Sequence, residues 1–156
     1  MPTPETRLAA LGLNLPAAAV AAANYVPFVM SGTMLYVAGQ IPFLDGVKGH
    51  IGRLGTDFSI EQGQKAAQAC ALNILAQVKA AVGGDWSRVV RCVKLGGFVN
   101  AVPEFDQHPA VVNGASELIV VALGESGRHA RFAVGVSNLP FGVAVEVDAV
   151  FEIAPA

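Results

Sequence analysis

Two side chains near the C-terminal end suggest chemistry. Arg131 opens an apolar run in which Phe132, Val134 and Val136 alternate with Arg131, Ala133 and Gly135. Successive strand side chains point to opposite faces, so the guanidinium shares its face with small residues. A guanidinium with nothing bulky beside it can receive an anion, and its planar fork matches a carboxylate in a way an ammonium cannot. Fifteen residues on, Glu146 lies in a second alternating run, where Val145, Val147, Ala149, Phe151 and Ile153 alternate with Glu146, Asp148, Val150 and Glu152. Glu146 and Asp148 therefore share a face. Between the runs, Asn138, Pro140 and Gly142 supply turn chemistry. A salt bridge from Arg131 to Glu146 or Asp148 across the sheet is the competing use of the same charges.

The elements that must position these groups follow from periodicity. A short helix is expected within Thr3–Leu15, begun by Thr3 or Glu5, with Leu8 and Leu11 on its face and Gly12 ending it. Pro16–Ala23 is alanine-rich, but the segment before it is not clearly basic and the run is too weakly apolar for a signal sequence. Tyr25–Met30 and Met34–Ala38 read as a hairpin through Ser31-Gly32-Thr33, with Gly39-Gln40-Ile41-Pro42 stopping the second strand. Phe43–Phe58 is a long glycine-rich surface loop, of a length that often signals function or an interface.

Ser59 caps the clearest helix, whose face is Ile60, Ala67, Cys70, Ala71, Ile74, Leu75, Val78 and Val82; Gly83-Gly84 ends it. A third strand, Arg91–Asn100, precedes a second helix from about Pro103 or Gln107 to Leu123, closed by Gly124. The resulting order is β-β-α-β-α-β-β, an α+β chain. Two amphipathic helices beside a sheet apolar on both faces leave one face uncovered. We expect the helices on one side and another subunit on the other.

Composition points the same way. The 156 residues are 53% hydrophobic and 14% charged, against roughly 25% charged in an average domain. So few charges cannot cover a small protein's surface, and part of the apolar surface is expected in a subunit interface. One domain is expected over 1–156, with residues 1–24 as an N-terminal extension. The net charge is −2 and Lys and Arg are scattered singly, so no basic stripe for nucleic acid is present. Cys70 and Cys92 lack metal or redox spacing, and His50, His108 and His129 stand far apart, so no metal cluster is visible. No stretch approaches a membrane span. A cytoplasmic protein with two reduced, buried thiols is expected.

The hairpin ending in Val37-Ala38-Gly39-Gln40-Ile41-Pro42, the helix after it, and Arg131 followed by Glu146 resemble the YjgF/YER057c/UK114 (RidA) family. The long loop, Leu54-Gly55-Thr56-Asp57 and Asn113-Gly114-Ala115-Ser116 are most similar to its longer branch, labelled endoribonuclease L-PSP-like. The resemblance spans roughly Tyr25–Ile153, with several separated motifs agreeing in spacing. It implies a chorismate-mutase-like fold, a homotrimer with clefts between subunits, and cofactor-independent hydrolytic deamination of enamine/imine intermediates such as 2-aminoacrylate to 2-oxo acids and ammonia.

Carried over by residue, the resemblance makes Arg131 the grip on the substrate carboxylate. Glu146 would position or activate the attacking water, and Tyr25 would line the cleft from a neighbouring subunit. Gly39 and Gln40 would bring backbone close to the ligand, while Ala133 and Asn113 match further cleft positions. Bland readings stand beside these: Glu146 as a partner that orients Arg131, Tyr25 as an interface aromatic, Gly39-Gln40 as a strand end and Asn113 as helix surface. Three departures alter the pocket wall: His129 where proline is usual, Phe132 where a small residue is commoner, and Ala133 in place of cysteine or a hydroxyl residue. Val147, in place of isoleucine or methionine, is a fourth. The alternative of a different class is a non-catalytic trimer that binds a small carboxylate. Ribonuclease action is the weakest, since no histidine pair is placed for acid–base cleavage and no aromatic–basic platform is visible.

Overall fold

The computed structural model describes residues 2–156. Helix α1 (Pro4–Ala9) is followed by strands β1 (Phe28–Ser31) and β2 (Met34–Gln40), helix α2 (Ile60–Ala81), strand β3 (Val89–Asn100), helix α3 (His108–Leu123), and strands β4 (Ala130–Val136) and β5 (Val145–Ile153). Thr3 caps α1 by accepting from the Thr6 amide at 3.2 Å. The helix stops well short of Leu15 because Gly12, at φ 74°, turns the chain and the Leu13 amide folds back onto the Leu8 carbonyl at 3.0 Å. Residues 13–27 then run without helix or strand.

β1 and β2 form the expected hairpin, with Ser31 paired to Met34 and Gly32 at φ 62° in the turn. The second strand does not end at Ala38. It continues to Gln40 through a bulge, pairing Val37 with Ala149 and Gln40 with Val147; the extra residue lets pairing resume beyond the kink. Ser59 and Gln62 form a reciprocal capping box at the start of α2. α3 starts at His108 with Gln107 at its N-cap position, the later of the two expected starts.

The sheet order is β1-β2-β5-β3-β4, parallel only between β3 and β4. β4 and β5, neighbours in sequence around the Ser137–Gly142 turn, are therefore not neighbours in the sheet. β3 lies between them. The core forms where α2 and α3 pack on one face, against Leu35, Val37, Leu95, Val99, Val145, Val147, Ala149 and Phe151. The two helices cross closely: a Cβ at Gly114 would collide with the Gln64 backbone carbonyl. The Phe43–Phe58 loop is less of a surface loop than expected, because Leu54 is fully buried and bridges to Ala101.

On the opposite face, Val29, Tyr36 and Val134 are 50%, 50% and 43% exposed. That uncovered apolar face is the one anticipated from the composition. No helix among the described residues is long and apolar enough to cross a membrane.

Candidate functional site

Where β2 leaves the sheet and β5 enters it, a cavity of about 700 Å³ opens. Its lining includes Glu146, Gly39 and Gln40, with Tyr25, Ile41, Phe43 and Phe141 around them and residues 17–22 along one side. Local sequence explains the arrangement. The bulge in β2 brings Gly39 beside Glu146, and a Cβ at that glycine would strike Glu146 Oε2. Only a residue without a side chain lets the carboxylate lie against the backbone there.

Among the described residues, Glu146 makes no hydrogen bond or ion pair. Burial pushes its carboxyl up from the ordinary value, and Asp148 on the same face adds to that. Asp148 is likewise raised by burial, against the pull of the Gly96 amide and the Lys94 charge. Two adjacent acids, both pushed towards protonation, therefore share the open face. Gln40, buried, turns its amide back to the Ala38 carbonyl at 3.0 Å. Tyr25 is half exposed at the cavity.

Helix α2 holds the cavity's walls in place. Asn73 Nδ2 donates to the carbonyls of Ile41 (2.8 Å) and Phe43 (3.1 Å), and Gln77 Nε2 donates to the Ala19 carbonyl at 2.7 Å. The Ala17 amide donates to Asp45 Oδ1 at 2.9 Å. The alanine-rich segment is thus a wall of the cavity. Its sequence shows only small side chains without periodicity, which carries no signal for such a role.

Arg131 is elsewhere. It pairs with Leu95 in register and projects to the helix side. Its Nη1 donates to Asn113 Oδ1 at 2.8 Å and to Ser116 Oγ at 3.2 Å, and its Nη2 donates to the Pro109 carbonyl at 3.3 Å. The guanidinium is held by α3 and by no acid. Of its five N–H groups, Nε–H and one on Nη2 remain without a partner among the described residues, which is one edge of the fork. Asn113, expected either in the site or as helix surface, orients the arginine.

Ser116 and His129 complete this arrangement; the sequence marks His129 only as a departure in the pocket wall and does not mark Ser116 as a site residue. Residues 113 and 116 are three apart on a helix and so lie on one face, the one available signal. His129 Nδ1 lies 2.6 Å from the Gly127 carbonyl and Nε2 lies 2.9 Å from Ser116 Oγ. A carbonyl can only accept, so Nδ1 carries the proton and Nε2 accepts from the serine hydroxyl. The serine oxygen is then free to accept from Arg131. Burial lowers the histidine's value, with the Arg131 charge working the same way against the Gly127 hydrogen bond. The neutral ring this hydrogen-bond chain needs is the form its surroundings favour.

Within one chain the two halves do not meet. Arg131 leaves the helix face of β4, Glu146 leaves the open face of β5, and β3 stands between them. The salt bridge across the sheet does not form. Ala133 shares the helix face with Arg131 and packs on the core, outside the cavity lining. Phe132 does not plug the cavity either: it lies edge-on to Phe98 at 5.2 Å, with Lys94 Nζ 5.4 Å from its ring centre. Both cysteines are free and buried. Burial raises the Cys70 thiol well above its ordinary value and pushes Cys92 up to about 12, so neither is a poised nucleophile.

The model of the family described as "YjgF/chorismate_mutase-like, putative endoribonuclease" matches residues 5–151. The chain belongs to the YjgF/RidA family. Protein TCP17 of Trypanosoma cruzi is 53% identical over 144 residues, 92% of this chain and 89% of the relative. The crystal structure of Atu1372 from Agrobacterium tumefaciens is 53% identical, covers 96% of this chain and 92% of its own, and has a TM-score of 0.91. RidA from the Antarctic bacterium Psychrobacter sp. PAMC 21119 is 28% identical, with 90% and 97% of the two chains covered and a TM-score of 0.59. The α+β architecture described above, a mixed five-stranded sheet with two long helices, is the chorismate-mutase-like fold of the YjgF family. Membership is consistent with an enzyme.

Proposed function

We propose that this YjgF/RidA protein hydrolyses enamine/imine intermediates of the 2-aminoacrylate type to 2-oxo acids and ammonia. Its site forms between copies of the chain in a trimer, with Glu146, Tyr25, Gly39 and Gln40 from one copy and Arg131 from another. The observation that carries the reading is Glu146: a half-buried carboxylate without a partner, at a cavity in an apolar setting, with its carboxyl pushed up. A base of raised pKa can take a proton from water and return it, which a fully ionised surface carboxylate does poorly.

In the proposed reaction, Glu146 takes a proton from a water molecule whose oxygen attacks the C=N carbon. The C=N π electrons move to nitrogen and give a carbinolamine. The same carboxyl returns that proton to nitrogen; it then takes the hydroxyl proton and delivers it to nitrogen as the C–N bond breaks, so that nitrogen leaves as ammonia with the bond's electrons and the oxygen closes the 2-oxo double bond. The free edge of Arg131, held open by Asn113, Ser116 and the Pro109 carbonyl, takes the substrate carboxylate as a bidentate pair. The separation of Arg131 and Glu146 within one chain, and the bare apolar sheet face, support a site completed by a second copy.

The test measures 2-oxo acid and ammonia release from imines made in situ by an amino-acid oxidase or a dehydratase. Acceleration over the spontaneous rate is expected, and Arg131→Ala is expected to abolish it. Glu146→Gln should abolish turnover while 2-oxo acid binding persists. If Glu146→Gln turns over as the parent does, the carboxylate is not the base; if the parent accelerates nothing, the activity is refuted and carboxylate binding alone is left.

A further inference from the structure

Resting on that imine-hydrolysis reading, we propose that the cavity beside Glu146 selects imino acids with long or branched apolar side chains, and that residues 17–22 are the wall that sets this preference. The first argument is size. At about 700 Å³ the cavity falls within the range that holds drug-sized ligands, roughly 300–1,000 Å³. A three-carbon imino acid has six non-hydrogen atoms. If each takes about a water's share of liquid volume, roughly 30 Å³, such a substrate fills only about a quarter of the space. The remainder lies alongside Glu146 and would otherwise be water.

The second argument is chemistry. Apart from Glu146, the lining is mostly apolar and includes Ala18, Ala21, Ile41, Phe43 and Phe141; its uncharged polar members are Tyr25, Gln40, whose amide turns to the Ala38 carbonyl, and Asn73, whose amide donates to the Ile41 and Phe43 carbonyls. The backbone groups that residues 17–22 would otherwise offer a polar ligand are partly spoken for, the Ala17 amide by Asp45 and the Ala19 carbonyl by Gln77. What the segment presents is methyl groups. Besides Glu146, the charged side chains in the lining are Asp45, which holds Ala17, and Lys48, which is exposed. A charged substrate side chain would find no buried partner, whereas an apolar one would displace water from apolar walls. Alanines leave room here that larger residues would occupy, and the two anchors to Asp45 and Gln77 keep the wall from collapsing inward.

The experiment compares kcat/KM for imines generated in situ from leucine, phenylalanine and alanine. Acceleration over spontaneous hydrolysis is expected to be at least tenfold greater for the leucine- and phenylalanine-derived imines, the scale on which a pocket discriminates by a few methylenes. Ala21→Trp, and independently Ala18→Trp, should shrink that ratio by tenfold or more, in protein shown to be folded by its thermal transition. A parent ratio near one, or an unchanged ratio in both variants, overturns the proposal. Failure to accelerate any imine overturns the activity itself, and the size preference is then read from binding alone by calorimetry. Tighter binding of 4-methyl-2-oxopentanoate than of pyruvate supports it, and equal or weaker binding overturns it.

Discussion

Gly39→Ala isolates the geometry on which the proposed chemistry depends. A methyl group at this position would meet Glu146 Oε2, with Cδ at 2.9 Å and Cγ at 3.2 Å. Comfortable separations are about 3.5–4.0 Å, so the carboxyl carbon must retreat by roughly 0.6–1.1 Å. Glu146 ends in a cavity and not against the core, so its side chain can swing aside without moving backbone. The cost in stability should therefore be under about 1 kcal/mol, partly offset by the lower chain entropy of alanine in the unfolded state. Catalysis is more sensitive, because a misplacement of about 1 Å costs on the order of 10²-fold.

We therefore expect kcat/KM for imine hydrolysis to fall 10- to 100-fold while the melting temperature moves by no more than about 3 °C. The companion measurement repeats the substitution in a Glu146→Ala background, where no carboxylate is left to displace, and reads the melting temperature and 2-oxo acid binding, because that background has no turnover. There, Gly39→Ala should add nothing, so the two effects are strongly non-additive. An unchanged kcat/KM in the single variant, or equal effects in both backgrounds, would refute the reasoning.

Arg131→Ala and Glu146→Gln chains, each inactive alone, should recover activity when unfolded together and reassembled; at equal mixing about a quarter of two-copy sites carry both groups. No recovery would place both residues in one chain's site. Glu146→Gln should also raise the melting temperature at neutral pH. The folded protein raises this carboxyl's pKa, so the stability it contributes is full below about 4.3, its unfolded value, and is lost as pH rises through the folded one. The gap between variant and parent should close towards pH 4, and a gap that widens on acidification would contradict this. For His129 the sign is opposite. Its pKa is lowered in the fold, so parental stability falls as pH drops below about 6.5, and His129→Gln should flatten that decline. The same variant should raise KM more than it lowers kcat, because it loosens Ser116 behind Arg131; a pure kcat effect would argue against a positioning role. Gly114→Ala should destabilise by about 1–3 kcal/mol in urea unfolding, since the added methyl would meet backbone of α2. A cost near zero would mean the helices separate freely.

The sequence by itself determined the element order, the two amphipathic helices and the inward face of β5, because these follow from local periodicity and capping. Ser59 with Gln62 and the alternation from Val145 to Ile153 are legible without any long-range contact. Arg131 and Glu146 stand out by their types and their place in alternating runs, whereas Tyr25, Gly39, Gln40 and Asn113 enter only through the family resemblance. Tertiary structure alone decided how those residues are distributed. The strand order inserts β3 between β4 and β5, so Arg131 and Glu146, each on a strand of readable pattern, leave opposite faces of the sheet. Strand order and register depend on pairings between residues distant in sequence, which no local pattern encodes. The same holds for His129 and Ser116 meeting behind the arginine, and for an unpatterned run of alanines becoming a cavity wall because Asp45 and Gln77 anchor it.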